Sequence, residues 1–351
     1  MITLSAILAF AATPQDVGLL PGLTADPAHE IALTWGSDDP RIALPWVAIG
    51  ADTTYGVTHG PPDDLAMGRF YRHEVIIRGL EPATSYVLRL WPGDVEVTLS
   101  TWPEQGADPV DTVVVFTATG DIGTKPMSEQ VAGHARSFVW PDAWNARPEL
   151  GCAVEPTGRP RDFHLGVGDL GYANHDSMDA VGGKPGIEGK MNPWPWDLTH
   201  RLFCQQQWSA VPVIMALGNH ERAEWWQSRK QWHADGPLLR WSMPDPEHYY
   251  LVERGPLALI VLDSDLDPFQ PVVPGDRARG AEQLRWLLDT LRELRERPSP
   301  PAWTIVAQHH PVFGDHGMEP RAAALYQKIF DIYDIDLLLM GHLHTAAQGK
   351  Q

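Results

Sequence analysis

A series of short, continuous apolar segments, rich in β-branched residues, constrains the fold of this chain more than any other feature. These segments are TVVVFTATGD, DFHLGVGD, VPVIMALGN, LALIVLDSD, WTIVAQHH and DLLLMGH. Uninterrupted apolar runs predict strands that are buried on both faces, as in parallel sheets. Helical patterns fall between several of them, most clearly at residues 281–296, where leucines recur at i, i+3, i+4 and i+7. Strands that alternate with helices predict an α/β domain with a largely parallel sheet over residues 111–351.

Residues 25–105 show a different pattern, in which short strand-like segments are separated by turn residues. The segments EIALTW, PWVAIG, RHEVII, SYVLRLW and VEVTLST predict an all-β sandwich without a cluster of chemically reactive side chains. The segment GLEPATSY, residues 79–86, resembles the corner of fibronectin type III domains, where a buried tyrosine (here Tyr86) hydrogen-bonds back to the chain. A generic hairpin is the alternative. The segment WPEQGADPVD, residues 102–111, predicts a linker.

Residues 1–24 form an N-terminal segment that precedes the predicted sandwich. Residues 2–12 are mostly apolar, and the AFA triplet at residues 9–11 fits an A-x-A cleavage site. No Lys or Arg precedes the apolar run, although a secretory signal normally has one. We interpret the segment as a signal-peptide remnant, which predicts an exported protein, extracellular or periplasmic. An ordinary apolar N-terminal segment is the alternative.

The overall charge excludes some classes of partner. The chain has 27 basic and 45 acidic residues and a formal net charge of −18, which argues against nucleic-acid backbones and anionic membrane surfaces as main partners. An anionic substrate would need a strong local positive charge, which a bound metal cluster could supply. The two cysteines, Cys152 and Cys204, could form a disulfide in an exported protein or remain free thiols in the core. No other apolar stretch is long enough to span a bilayer.

Polar side chains that can bind metals follow the predicted strands at the points where they end. They are Asp121, Asp169, Asn219, His309, His342 and His344. In open α/β sheets the ligand crevice lies outside the carboxyl ends of the strands, so these side chains can converge. The glycines that precede most of them allow a sharp turn and a close backbone approach. His342 and His344 would point the same way if the chain were extended there. Carboxylate, imidazole and amide donors favour two hard or borderline ions, and one carboxylate could bridge them.

The series Gly-Asp, Gly-Asp-x-x-Tyr, Gly-Asn-His-Glu, Val-x-x-His and Gly-His-x-His resembles that of the calcineurin-like metallophosphoesterases, and within them the purple acid phosphatases. The resemblance covers nearly the whole chain and implies a fibronectin type III-like sandwich followed by an α/β four-layer metallophosphoesterase sandwich. It implies that the first metal is held by Asp121, Asp169, Tyr172 and His344. It implies that the second is held by Asp169, Asn219, His309 and His342, with Asp169 bridging. The Tyr172 phenolate would favour Fe(III), and its partner would be Fe(II), Zn or Mn.

The same resemblance implies an acid phosphatase-type hydrolase that acts on a small phosphorylated substrate. It would cleave phosphomonoesters at a dinuclear centre, with a metal-bound hydroxide as the nucleophile. The side chains predicted to contact the phosphate are Asn219, His220, His310 and His316, and we expect His220 and His316 to serve as proton donors. We expect Glu221 to orient His220.

Two other functions stay open. The first is a phosphodiesterase or nucleotidase on the same metals, and the second is a non-catalytic module that binds phosphorylated ligands. The sequence ends at Gln351, soon after His344, whereas relatives continue with further strands; either the chain is a fragment, or its sandwich is C-terminally short compared with the family.

Overall fold

A computed structural model of the chain describes residues 19–37, 41–42, 44–59, 71–106, 112–120, 124–125, 138–139, 161–169, 211–221, 241–269, 276–314 and 317–343. Among these residues, no helix combines the length and the apolar character that a membrane crossing requires.

The N-terminal region is a sandwich of two four-stranded antiparallel sheets. Its strands are β1 (Leu20–Gly22), β2 (Glu30–Ser37), β3 (Trp46–Ile49), β4 (Asp52–Tyr55), β5 (Val57–His59), β6 (Tyr71–Arg78), β7 (Ser85–Trp91) and β8 (Val95–Ser100). One sheet has the order β1-β2-β6-β5 and the other the order β4-β3-β7-β8. The strands predicted in this region are confirmed. Strand β1 already pairs with β2 ahead of residue 25, where we had placed the start of the domain.

Alternate residues of these strands fill the core between the two sheets. Leu33 and Trp35 of β2 pack with Leu88 and Leu90 of β7, and all four side chains are fully buried. At the predicted corner, Tyr86 Oη accepts the backbone N–H of Glu81 at 2.8 Å. This is the hydrogen bond back to the chain that the corner interpretation requires, whereas membership in the fibronectin type III fold stays a prediction.

The C-terminal region contains two larger sheets, one two-stranded pair and two long helices among the described residues. Its strands are β9 (Phe116–Thr119), β10 (Thr124–Lys125), β11 (Phe138–Val139), β12 (Phe163–Val167), β13 (Val213–Ala216), β14 (Tyr250–Arg254), β15 (Leu257–Val261), β16 (Trp303–Ala307) and β17 (Leu337–Leu339), and its helices are α1 (Asp276–Glu296) and α2 (Pro320–Ile332). Strands β13, β12 and β9 form a parallel sheet. Strands β15, β16 and β17 are parallel in a second sheet, and β14 pairs antiparallel with β15. Strands β10 and β11 form a separate antiparallel pair.

Strand β15 shows how the layers are arranged, because every one of its residues is buried. Leu259 belongs to the core that includes Phe163 and Leu165 of the three-stranded sheet. Its neighbour Ile260 belongs to the core that includes Leu287 of α1. One face of the second sheet therefore packs on the first sheet and the other face on the helices. The described residues thus form three layers, and the fourth layer of the predicted sandwich stays a prediction.

The two regions share buried contacts. Leu20, Leu23 and Trp102 belong to the core between the two C-terminal sheets, and the rings of Trp102 and Phe163 lie 6.1 Å apart. The backbone N–H of Leu23 donates to the carbonyl of Ser242 at 2.9 Å. Trp102 is 6% exposed, so the predicted linker starts with a residue that is part of the core.

Candidate metal centre

Four of the predicted metal ligands lie together at the carboxyl ends of the parallel strands. Asp169 follows β12, Asn219 follows β13, His309 follows β16 and His342 follows β17. His309 Nε2 lies 3.1 Å from Asp169 Oδ2 and 3.1 Å from Asn219 Oδ1. His342 Nδ1 lies 3.0 Å from the same Asn219 oxygen. Both sheets thus contribute donor atoms to one site.

Most of the other predicted site residues have no described side chain, whereas that of His310 is described. Asp121, Tyr172, His316 and His344 lie outside the described residues, and so do both cysteines. The backbone of His220 belongs to a 3-10 turn at Asn219–Glu221, but its side chain is not described. The roles predicted for these residues therefore stay predictions.

Close backbone approach explains the glycines beside Asp169. Gly168 has φ +87°, and a Cβ there would lie 2.5 Å from His309 Nδ1. A Cβ at Gly218 would lie 2.4 Å from Asp169 Oδ1. Neither position can accept a side chain unless the site residues move. The sequence-based reason for glycine at these strand ends is confirmed at both positions.

Two predicted ligands have left-handed backbone conformations. Asp169 has φ +52° and His342 has φ +75°. Such conformations cost a non-glycine residue about 1–3 kcal/mol and persist where surrounding contacts enforce them. The chain is therefore not extended at His342, so the condition under which His342 and His344 would point the same way is not met at His342. The turn instead directs Nδ1 of His342 toward Asn219.

Glu221 holds the loops that follow β12 and β13. Its Oε2 accepts the backbone N–H groups of Asp169 and of Gly218, each at 2.7 Å, and the side chain is fully buried. Burial and the nearby Asp169 carboxylate raise the pKa of Glu221 to about 8. Bound cations would oppose this rise, because positive charge favours the ionised form. Sequence reasoning assigned Glu221 only to His220 and missed these two contacts.

The hydrogen bonds of His309 show whether a cation fits the site. His309 Nδ1 lies 2.9 Å from the carbonyl oxygen of Val167, which can only accept, so Nδ1 carries the hydrogen. In the neutral ring Nε2 then presents a lone pair to the oxygens of Asp169 and Asn219. Acceptor atoms that converge in this way suit a bound cation, and metal-binding histidines usually donate their other ring N–H to such a partner. The donors therefore fit a metal ion.

A third histidine borders the donor set. His309, His310 and His342 each place a ring nitrogen within 4.8 Å of the others. The ring centroid of His310 lies 4.3 Å from that of His342. Burial, followed by the neighbouring His310 and His309, lowers the pKa of His342 to about 4, so its ring is neutral at neutral pH.

The loop after β15 borders the site as well, although the sequence analysis assigned no site role to its residues. Ser264 Oγ lies 2.9 Å from His310 Nδ1, and Asp265 Oδ1 lies 3.6 Å from it. The signal that identified the other site residues was present here as well, because Asp263, Ser264 and Asp265 follow an apolar strand.

Two packed sheets with carboxylate, amide and imidazole donors at the carboxyl ends of parallel strands define a metal-binding α/β sandwich suited to metal-assisted hydrolysis. The sequence profile of the Calcineurin-like phosphoesterase family matches residues 114–346, which is more than half of the chain. The chain belongs to this family.

The chain is also similar to Purple acid phosphatase 1 of Ipomoea batatas. The two sequences are 26% identical over 299 residues, which cover 80% of this chain and 52% of that protein. The chain thus spans about half the length of the curated relative that it matches. The family and this relative imply a dinuclear metal centre, and the donors of Asp169, Asn219, His309 and His342 fit one part of it.

Proposed function

We propose that the protein hydrolyses phosphomonoesters at a dinuclear metal centre. The convergence of Asp169 Oδ2, Asn219 Oδ1, His309 Nε2 and His342 Nδ1 carries this proposal. Family membership supports phosphoester hydrolysis, and the similarity to a purple acid phosphatase favours monoesters.

The proposed ligand sets follow the family motifs. The first metal would be held by Asp121, Asp169, Tyr172 and His344. The second would be held by Asp169, Asn219, His309 and His342. The proposed ions are Fe(III) at the first site and Fe(II), Zn or Mn at the second. Two such cations would lower the pKa of a coordinated water and neutralise charge on the phosphoryl oxygens.

The protein's own contribution is to orient these groups in advance. Glu221 fixes the backbone of Asp169 through a hydrogen bond, and the Val167 carbonyl fixes the tautomer of His309. Pre-oriented donors do not have to reorganise when the substrate binds, which lowers the barrier to reaction. The imidazoles of His220, His310 and His316 are proposed to contact the phosphate, and His220 and His316 to protonate the leaving group.

The test compares an aryl phosphate with a bis-aryl phosphate as substrates of the purified, metal-loaded protein. We expect faster turnover of the monoester and about two metal ions per chain. Asp169→Ala should abolish turnover and lower the metal content. Asp289→Ala is the matched control, because Asp289 pairs with Arg292 on the exposed surface of α1. Full activity of Asp169→Ala would contradict the proposed centre.

The colour of the loaded protein tests the first metal site. Visible absorption that disappears in Tyr172→Phe would support a phenolate bound to Fe(III). A colourless, iron-free and active protein would contradict that assignment and favour the phosphodiesterase or nucleotidase alternative. Phosphate binding without turnover would favour a non-catalytic module.

Other predictions from the sequence remain proposals. They are export of the protein, the fibronectin type III character of the N-terminal sandwich, and the domain limits at residues 25–105 and 111–351. Mass spectrometry of the secreted protein in an export-competent host would test the first, because a cleaved leader shortens the mature chain.

A further inference from the structure

We propose that Ser264 and Asp265 are positioning residues that hold the imidazole of His310 toward the phosphoryl site. This inference rests on the proposed function and extends it to the loop after β15, to whose residues the sequence analysis assigned no site role. The loop follows β15, and it reaches the site from the sheet that also carries His309 and His342.

Ser264 makes two contacts with His310. Its Oγ accepts the backbone N–H of His310 at 2.9 Å and lies 2.9 Å from His310 Nδ1. The carboxylate of Asp265 lies 3.6 Å from the same ring nitrogen. A nearby carboxylate favours a hydrogen on Nδ1, and the neutral Nδ1–H tautomer and the protonated ring both carry one. The ring is therefore oriented with Nδ1 toward the loop, whatever its charge.

The opposite edge of the ring carries Nε2. The ring centroid of His310 is 4.3 Å from that of His342 and 5.1 Å from that of His309, and the three rings each place a nitrogen within 4.8 Å of the others, so the ring of His310 borders the metal donors. A phosphoryl group bound between the metals and this edge would be contacted by Nε2. Both His310 and Asp265 are mostly buried, with side chains 14% and 10% exposed, so few other orientations are open to the ring.

The loop is itself fixed to helix α1. The backbone N–H of Asp263 donates to Gln283 Oε1 at 2.9 Å, and Gln283 Nε2 donates to the carbonyl of Asp263 at 3.0 Å. Asp263 Oδ1 in turn accepts the backbone N–H of Asp265 at 3.0 Å. These bonds set the position of Asp265 with respect to the core.

His248 and Arg279 complete the support. Asp263 Oδ2 lies 3.0 Å from His248 Nδ1, and Arg279 lies 3.0 Å from His248 Nε2. Because a guanidinium can only donate, His248 Nε2 accepts and Nδ1 donates to Asp263. Asp263 is fully buried, and a buried carboxylate is tolerated only when it is paired and hydrogen-bonded. A turn can form without a buried carboxylate, so the presence of Asp263 favours a role in positioning the site residues.

The main test is a double-mutant cycle between Asp265 and His310 in the metal-loaded protein. We expect Asp265→Asn and His310→Ala each to raise the KM for an aryl phosphate about tenfold with little change in kcat, because His310→Ala removes the phosphate contact of the imidazole and Asp265→Asn misplaces that same imidazole. The double variant should be no worse than His310→Ala alone, since Asp265 acts through His310. Effects that multiply in the double variant would overturn the proposal.

Three further variants separate positioning from stability. Ser264→Ala should raise KM in the same way, whereas Ser264→Thr keeps the hydroxyl and should restore most of the loss. Asp267→Asn is the matched control, because this carboxylate is buried in the same loop and accepts the backbone N–H of Phe269. An equal rise in KM for Asp267→Asn would show that the loop only supports the fold, and would also overturn the proposal.

Metal content and phosphate binding distinguish this inference from the proposed function. We expect His310→Ala to retain its metals, and loss of a metal would overturn the proposal by making His310 a ligand. Calorimetric binding of inorganic phosphate repeats the same cycle without turnover. Coupling in phosphate affinity with no hydrolysis would refute the function but support the positioning. Hydrolysis with additive effects of the two substitutions would support the function but refute the positioning. A wild-type protein that binds no phosphate would overturn both proposals.

Discussion

Replacement of Glu221 by alanine tests how the site is held together. Glu221 Oε2 accepts two backbone N–H groups, those of Asp169 and Gly218, and the carboxylate has no exposure to solvent. In Glu221→Ala the two backbone N–H groups lose this acceptor in a buried environment, where water cannot replace it. The two loops that carry Asp169 and Asn219 then lose their common attachment.

The size of the effect follows from the cost of unsatisfied donors. A buried N–H group without an acceptor costs about 1–3 kcal/mol, so two such groups cost roughly 2–6 kcal/mol. Part of this is offset, because burial of Glu221 beside Asp169 is itself unfavourable and raises the pKa of Glu221 to about 8. We therefore expect Glu221→Ala to lower the free energy of unfolding by roughly 2–4 kcal/mol. Glu221→Gln keeps an acceptor oxygen and should cost about 1 kcal/mol.

The assay is urea unfolding of the metal-free protein at pH 7, combined with hydrogen exchange of the backbone amides. Glu319→Ala is the matched control, because Glu319 Oε2 also accepts two backbone N–H groups, those of Arg321 and Ala322, at the partly exposed start of α2. Water can replace that acceptor, so we expect a cost of about 0.5–2 kcal/mol.

Hydrogen exchange adds a local measurement. The amides of Asp169 and Gly218 should lose protection in Glu221→Ala and keep it in Glu319→Ala. Equal stability losses in the two variants, or unchanged protection of the Asp169 amide, would refute the idea that Glu221 joins the two loops.

Three other perturbations test separate parts of the structure. Gly168→Ala should disrupt metal binding, measured by metal content, because its Cβ would lie 2.5 Å from His309 Nδ1. Gly79→Ala is the control, because Gly79 has a similar φ of +74° but open space around it, and this variant should cost only about 1–2 kcal/mol of backbone strain. Burial lowers the pKa of His164 to about 3, so the unfolded chain binds more protons between pH 6.5 and 3 and stability falls as the pH drops. His164→Gln should flatten the acid side of the stability–pH curve by up to about 1.4 kcal/mol per pH unit. Tyr86→Phe removes the corner hydrogen bond and should cost about 1 kcal/mol in thermal unfolding without changing turnover.

The strands that are buried on both faces were predictable from the sequence. Every residue of β12 and β15 is buried, and the continuous apolar runs FHLGV and LALIV report that directly. Strands β4 and β5 were missed, because DTTY and VTH are short and mostly polar. Such strands form because a neighbouring strand offers them hydrogen bonds, and local sequence does not encode that neighbour.

The helices were predictable to different degrees. Helix α1 was expected at residues 281–296 and begins five residues earlier, at Asp276. Its leucine periodicity marks the face that packs on the sheet, but its first turn lacks that pattern. Helix α2 was not predicted at all, although Pro320 in its first turn and the preceding Glu319, which caps it, are signals typical of a helix start.

The composition of the site was easier to predict than its supports. Asp169, Asn219, His309 and His342 could be named because the carboxyl ends of parallel strands meet at one edge. The contact of Glu221 with Asp169 could not be predicted. The two residues are 52 positions apart, and the contact depends on the left-handed backbone conformation at Asp169. The sequence pattern thus identifies the side chains that can form the site, whereas the contacts that support those side chains depend on loop conformation.

The apolar residues that the N-terminal region inserts into the C-terminal core have a consequence for dissecting the protein. A fragment that starts at residue 111 would leave empty the volume filled by Leu20, Leu23 and Trp102. Losing a large buried side chain typically costs 2–5 kcal/mol, which is comparable to the whole stability of many domains. The C-terminal region should therefore be insoluble or loosely packed when expressed alone. Ions that bind at the sheet edge should raise the melting temperature of both halves together.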